Sequence, residues 1–189
     1  MNKFDQTKLV QALKEIVNPK AVIPVSSPLK LCEERNFKND KKCRFVELKG
    51  LEGQNFIFKL DAEELGQISN YFNPQTKGIN RACDAVLFTL IKEMQYIFFI
   101  ELKSGNIKGA KEQLQNAELF VSYLGSILKE YKHIDIKGFK KRFFIFCTDV
   151  THHNPTSNRA KIKPREEKGR KIFICNCNER IWIKKFDLS

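Results

Sequence analysis

The chain reads as a mixed α/β fold with a single mixed sheet flanked by helices. Three features predict it: an amphipathic helix opens the sequence, a pair of strands apolar on both faces occupies its middle, and a long helix with one apolar stripe separates that pair from a further strand. Strands greasy on both sides need cover on both sides, and helices on either face supply it.

Taken in order, Asp5 is followed by Leu9, Ala12, Leu13, Ile16 and Val17 at helical spacing, and Asn18-Pro19 stops that helix. The stretch to Pro28 is extended and punctuated by proline. Residues 43–48 and 55–60 are β-like runs with Gly50 and Gly53 between them, which predicts a hairpin. Residues 61–70 suit a short helix, and Asn73-Pro74-Gln75-Thr76-Lys77-Gly78 is rich in turn formers. Residues 84–91 and 96–102 are the central strands. Ser104-Gly105-Asn106 opens the long helix, whose stripe is Ile107, Ala110, Leu114, Ala117, Val121, Leu124 and Leu128. A strand at 143–147 follows, then a polar, basic loop at 151–171 and two short strand-like runs at 172–175 and 181–186. The expected organisation is one domain over 1–189, with a core at about 55–148 and a basic C-terminal extension at 149–189.

Composition narrows the function. The hydrophobic share of 42% and charged share of 30% describe a globular chain with a charged surface. No apolar run approaches the ~20 residues of a membrane-spanning helix, and the first residues carry no secretory signal, so the expectation is a cytoplasmic protein without a membrane partner. Six cysteines in a reducing compartment then read as buried thiols. Lys and Arg number 34 against 22 Asp and Glu, a net charge of +12. Sixteen basic and only seven acidic residues lie at 129–189, so nucleic acid is the natural partner.

The chemistry concentrates at three residues. Glu101 and Lys103 are two apart on a strand and share a face. An antiparallel hairpin turning about Lys92-Glu93 sets Asp84 directly opposite Glu101, with Cβ atoms about 5 Å apart. Val86, Phe88, Leu90, Ile97 and Phe99 make the rest of that face apolar, so the charges gather at one end. Two adjacent carboxylates repel unless a proton or metal intervenes. Mg²⁺ (or Mn²⁺) suits them, because it takes oxygen ligands and is commonly held by one or two carboxylates plus phosphate. Lys103 adds a cation able to orient an attacking water or neutralise the transition state.

Asp84, sixteen intervening residues, then Glu101-Leu102-Lys103 at the end of an apolar strand resembles the signature of the PD-(D/E)xK, or restriction-endonuclease-like, superfamily. The resemblance covers roughly 55–148. It implies an αβββαβ core and metal-dependent hydrolysis of nucleic acid, DNA more often than RNA, in restriction, defence or repair. It also implies a further acidic metal ligand from an earlier element, for which Glu64 and Glu63 are candidates with Glu15 behind them. Gln113 resembles the glutamine that some branches place beside the active site. Cys83 stands where many members have proline. A non-catalytic nucleic-acid-binding or partner-binding module on the same fold is the alternative, and cutting both strands of a duplex would favour a homodimer.

Arg159, Lys161, Lys163, Arg165, Lys168, Arg170 and Lys171 form the densest basic run, suited to phosphate contacts, and Arg81 lies three residues before Asp84. Glu47-Leu48-Lys49 repeats the ExK spacing with Asp40 upstream, but without a second strand to carry the partner acid. His152, His153, Cys175 and Cys177 fit no common zinc spacing.

Overall fold

A computed structural model describes residues 5–32, 43, 45–66, 68–69, 71–105, 107–148 and 161–189. The fold is mixed α/β, with two helices and two mixed sheets. Asp5 caps α1 (Gln6–Ile16) by accepting from the Lys8 N–H at 3.1 Å. Asn18 caps a 3₁₀ turn at Pro19–Ala21. The strands are β1 (Leu29–Cys32), β2 (Phe45–Lys49), β3 (Glu52–Phe58), β4 (Ala85–Ile91) and β5 (Met94–Lys103). Helix α2 (Ala110–Lys132) precedes β6 (Lys140–Cys147), β7 (Arg165–Glu167), β8 (Arg170–Asn176) and β9 (Glu179–Trp182).

The larger sheet has the order β3-β4-β5-β6-β8-β7, with β5, β6 and β8 parallel and its other pairings antiparallel. The smaller has the order β1-β2-β9. Alternation along each central strand sends side chains to two separate cores. Phe56, Phe58, Val86, Phe88, Ile97, Phe99, Phe143 and Ile145 pack under α1 and α2. Ile57, Leu87, Phe98, Ile100, Phe144, Phe146 and Phe173 meet the inner face of the small sheet, made of Leu29, Leu31, Val46, Leu48 and Ile181. The result is three layers, helices on sheet on sheet. Among the described residues, ten phenylalanines are almost wholly buried. Their rings stack across strands, with centroids 4.9 Å apart for Phe99–Phe143 and for Phe144–Phe173.

The expectation of a single sheet with helices on both faces is therefore corrected: a second sheet covers one face. The expected hairpin of 43–48 with 55–60 does not form either. Gly50, at φ +77°, turns the chain between sheets, so β2 pairs with β1 and β9 while β3 pairs with β4. Among the described residues of 61–70, the helical part is a 3₁₀ turn at Glu63–Leu65. Helix α2 begins at Ala110 behind Gly109 in the left-handed region, later than Ser104 suggested. In the C-terminal stretch, β7 and β8 extend the large sheet and β9 pairs with β2 in the small one. All six cysteines are free thiols. Among the described residues no helix is long and apolar enough to cross a membrane.

Candidate metal and phosphate site

The β4–β5 hairpin turns at Lys92 and Glu93, both with positive φ, the backbone of a tight two-residue hairpin. Its register pairs Ala85 with Ile100, so Asp84 stands opposite Glu101 one step beyond the paired strand, as the sequence predicts. The Asp84 carboxylate continues the ladder in place of backbone, its Oδ2 accepting from the Leu102 N–H at 2.5 Å. Apolar neighbours fill the hairpin interior, and the two acids sit where the ladder reaches a cavity.

That cavity, about 480 Å³, is lined by Asp61, Asp84, Glu101, Lys103 and Gln113 on one side and by 20–24 and Lys30, Leu31 and Cys32 of β1 on another, with Lys59 also on its wall. Glu101 is 1% exposed. Its Oε1 lies 2.5 Å from the Lys103 amine, while Oε2 is buried with no hydrogen-bond partner. The Lys103 amine also donates to Gln113 Oε1 at 2.5 Å. Gln113 in turn donates to the Ala82 carbonyl at 2.9 Å, and Asn116, one turn on, donates to the carbonyls of Gly78 and Arg81. One side of α2 thus holds both the lysine and the segment that delivers Asp84.

Burial pushes the Glu101 carboxyl up to about 7, against the pull of Lys103. Burial, then the Glu101 charge, raises Asp84 well above the usual carboxylate range. Asp61 pushes both in the same direction. The Cys83 thiol beside them is also raised well above its ordinary value, by burial and then by the Glu101 and Asp84 charges.

Oxygen donors alone, one of them orphaned and buried, in a pair whose charges repel, fit a hard divalent cation such as Mg²⁺ or Mn²⁺. Among the described residues no three His, Cys, Asp or Glu side chains are grouped to hold a metal ion. A cation here would take Asp84 and Glu101 and complete its shell with water and substrate oxygen.

Glu64 is not part of the arrangement. Its carboxylate is exposed, pairs with Lys20 at 3.4 Å, and does not line the cavity. The acid that reaches the cavity is Asp61, three residues past β3, a strand-end position comparable to that of Asp84. Glu15 pairs with Lys132 far along α2. The Glu63 side chain, Asp40, His152, His153 and Arg159 lie outside the described part of the structure.

The other expected phosphate contacts divide. Lys161, Lys163, Arg165 and Lys168 are exposed, and Arg81 is exposed beside Gly109. Arg170 is committed to Glu118 at 2.8 Å and to the Phe143 ring, and Lys171 donates to the Ser189 carbonyl. None of these lines the cavity; its cations are Lys20, Lys30, Lys59 and Lys103. Glu47 of the second ExK spacing pairs with Arg180 at 2.7 Å on the small sheet, away from any second described acid of the site. Comparison with known protein families, curated proteins and solved structures finds no match to this chain.

Proposed function

We propose that the chain is a metal-dependent nuclease that hydrolyses phosphodiester bonds of nucleic acid, as its resemblance to the PD-(D/E)xK superfamily implies. The observation that carries the reading is the meeting of Asp84 and Glu101 at the end of a buried hairpin, with the Lys103 amine 2.5 Å from Glu101, in a lysine-walled cavity. The order α1, β1, β2, β3, β4, β5, α2, β6 supports it in part: with β1 and β2 of the small sheet set aside, the elements run in the αβββαβ order that the resemblance implies.

Asp84 and Glu101 would hold the cation, which when bound acidifies water and stabilises charge on phosphate oxygens. Lys103 places an ammonium where negative charge grows on the phosphate, and Gln113 keeps that amine from swinging away. Lys20, Lys30 and Lys59 draw the phosphate backbone to the rim.

The test is degradation of single- and double-stranded DNA and RNA with Mg²⁺, Mn²⁺ or chelator. Cleavage of at least one substrate requires metal, and Asp84→Asn and Lys103→Ala each remove it by about 100-fold or more. Equal cleavage by wild type and both variants refutes the reading, and binding without any cleavage replaces it with the non-catalytic module.

A further inference from the structure

The outer face of the small sheet has a composition that its structural role does not require. Alternation along β1, β2 and β9 turns Leu29, Leu31, Val46, Leu48 and Ile181 inward, and turns Lys30, Cys32, Phe45, Glu47, Lys49, Arg180 and Trp182 outward. Trp182 is 45% exposed. Its ring rests against Gly50, where an added Cβ would come within 3.2 Å of it. The Lys184 and Lys49 amines lie 5.0 and 5.9 Å from its centroid, and the Lys30 amine lies 5.1 Å from that of half-buried Phe45. Among the described residues of β1, β2 and β9 turned to this face, the carboxylate is Glu47, and it is taken by Arg180. Glu179 alternates to the other side.

We propose that this face binds single-stranded nucleic acid, with an unpaired base stacking on Trp182 and the backbone phosphates on Lys30, Lys49 and Lys184. Three arguments carry it. With Arg180 and Glu47 cancelling each other, Lys30, Lys49 and Lys184 leave the described part of the face positive and complementary to a polyanion. An exposed flat ring among those cations suits a base, and stacking on it needs a base freed from its duplex partner. The face also runs into the candidate active site, because Lys30 and Cys32 line that cavity as well. A strand lying across β9, β2 and β1 would reach the carboxylates from this side. The inference deepens the nuclease reading by naming a single strand as the substrate, yet binding on the platform does not depend on cleavage.

Trp182 is the only tryptophan, so its emission reports on this face alone. In chelator, a single-stranded DNA or RNA oligonucleotide is expected to quench that emission saturably. Its perfect duplex, heparin as a polyanion without bases, and vesicles of anionic phospholipid are expected to leave it nearly unchanged. By anisotropy of a labelled oligonucleotide, Trp182→Ala weakens binding about tenfold or more while Trp182→Phe retains most of it. Lys49→Gln with Lys184→Gln flattens the salt dependence by about 0.7 in log–log slope per lysine. Circular dichroism confirms that each variant is folded. Equal quenching by duplex or heparin, a response to vesicles instead, or unchanged affinity in folded Trp182→Ala overturns the platform. Quenching without cleavage under any metal leaves the platform standing and removes the nuclease, whereas metal-dependent cutting of duplex without quenching does the reverse.

Discussion

Replacing Glu101 by glutamine should make the metal-free protein more stable while destroying the proposed activity. Burial lifts the Glu101 pKa from 4.5 to about 7, so the folded chain holds a proton that the unfolded chain releases. A carboxyl raised in this way contributes most favourably below its unfolded pKa, and that contribution is lost as pH rises through the folded one. At pH 8 the folded protein carries the whole penalty, two to three pKa steps at about 1.4 kcal/mol each, or about 3 kcal/mol. Near pH 5.5 it has fallen to about 1 kcal/mol. Glu101→Gln keeps the shape and removes the charge, so thermal unfolding in chelator should show the variant ahead by roughly 6–12 °C at pH 8, given ~2–4 °C per kcal/mol at this chain length. The lead should narrow by more than half at pH 5.5. Asp84, raised for the same reasons, moves the wild type in the same direction. The lowered carboxylates Glu15, Glu118, Asp135, Glu167 and Asp187 lose their stabilising ionisation only in more acid solution, outside this window. Added Mg²⁺ or Mn²⁺ at pH 8 should raise the melting point of the wild type and not that of the variant. A variant no more stable than wild type at pH 8, or a lead independent of pH, would refute the electrostatic account of the pair.

Gln113→Ala frees both the Lys103 amine and the Ala82 carbonyl, so kcat should fall about 10–100-fold with the melting point little changed. Asp61→Asn removes a charge that raises both Asp84 and Glu101, so the acid limb of the kcat/KM profile should move to lower pH, whereas Glu64→Gln should leave the profile where it is. Truncation after residue 160 removes Ile172, Phe173, Cys175, Ile181, Ile183 and Phe186 from the core, at about 1.5–3 kcal/mol for each of the larger side chains. That loss is comparable to a whole domain's ~5–15 kcal/mol. The fragment should be insoluble or molten by near-ultraviolet circular dichroism.

The parts legible in the sequence are those fixed by local periodicity and by a short-range register. The α2 stripe is read from spacing alone, and its predicted members from Ala110 to Leu128 are all buried. The Asp84–Glu101 pairing follows from a two-residue turn, since hairpin register is set by the loop. The partition into two sheets depends on long-range pairing. Nothing local in 45–49 distinguishes a strand that pairs with 52–58 from one that pairs in parallel with 179–182, more than a hundred residues away. The missed Asp61 follows from the same limit. It stands just beyond a recognised strand, but its relation to Asp84 requires knowing that β3 lies antiparallel beside β4. Glu64 looked equivalent because the segment read as a helix. Charge density does not show which bases are already paired: in the basic run Arg170 is tied to Glu118 and Lys171 to Glu166 and the Ser189 carbonyl, while Lys161, Lys163, Arg165 and Lys168 are exposed, and the lysines around the cavity are scattered through 20–103.

The small sheet gives the site its shape. A hairpin end alone would offer Asp84 and Glu101 to open solvent, where their ionisation would be ordinary and a cation's advantage slight. Strand β1, held against the large sheet by Leu29 and Leu31, closes the far side of the cavity and brings Lys30 toward it, and 20–24 closes a further side beside β3. Enclosure is what strands Glu101 Oε2 without a partner and lifts both carboxyls. The same walls carry Lys20, Lys30 and Lys59, so on the proposed reading an arriving phosphate would meet positive charge before the acids. In a chain of net charge +12, attraction of a polyanion is unselective. On the proposed reading, selectivity for chemistry would lie in Asp84 and Glu101, with Asp61 elsewhere on the cavity wall, an arrangement a phosphate would approach favourably only with a divalent cation in between.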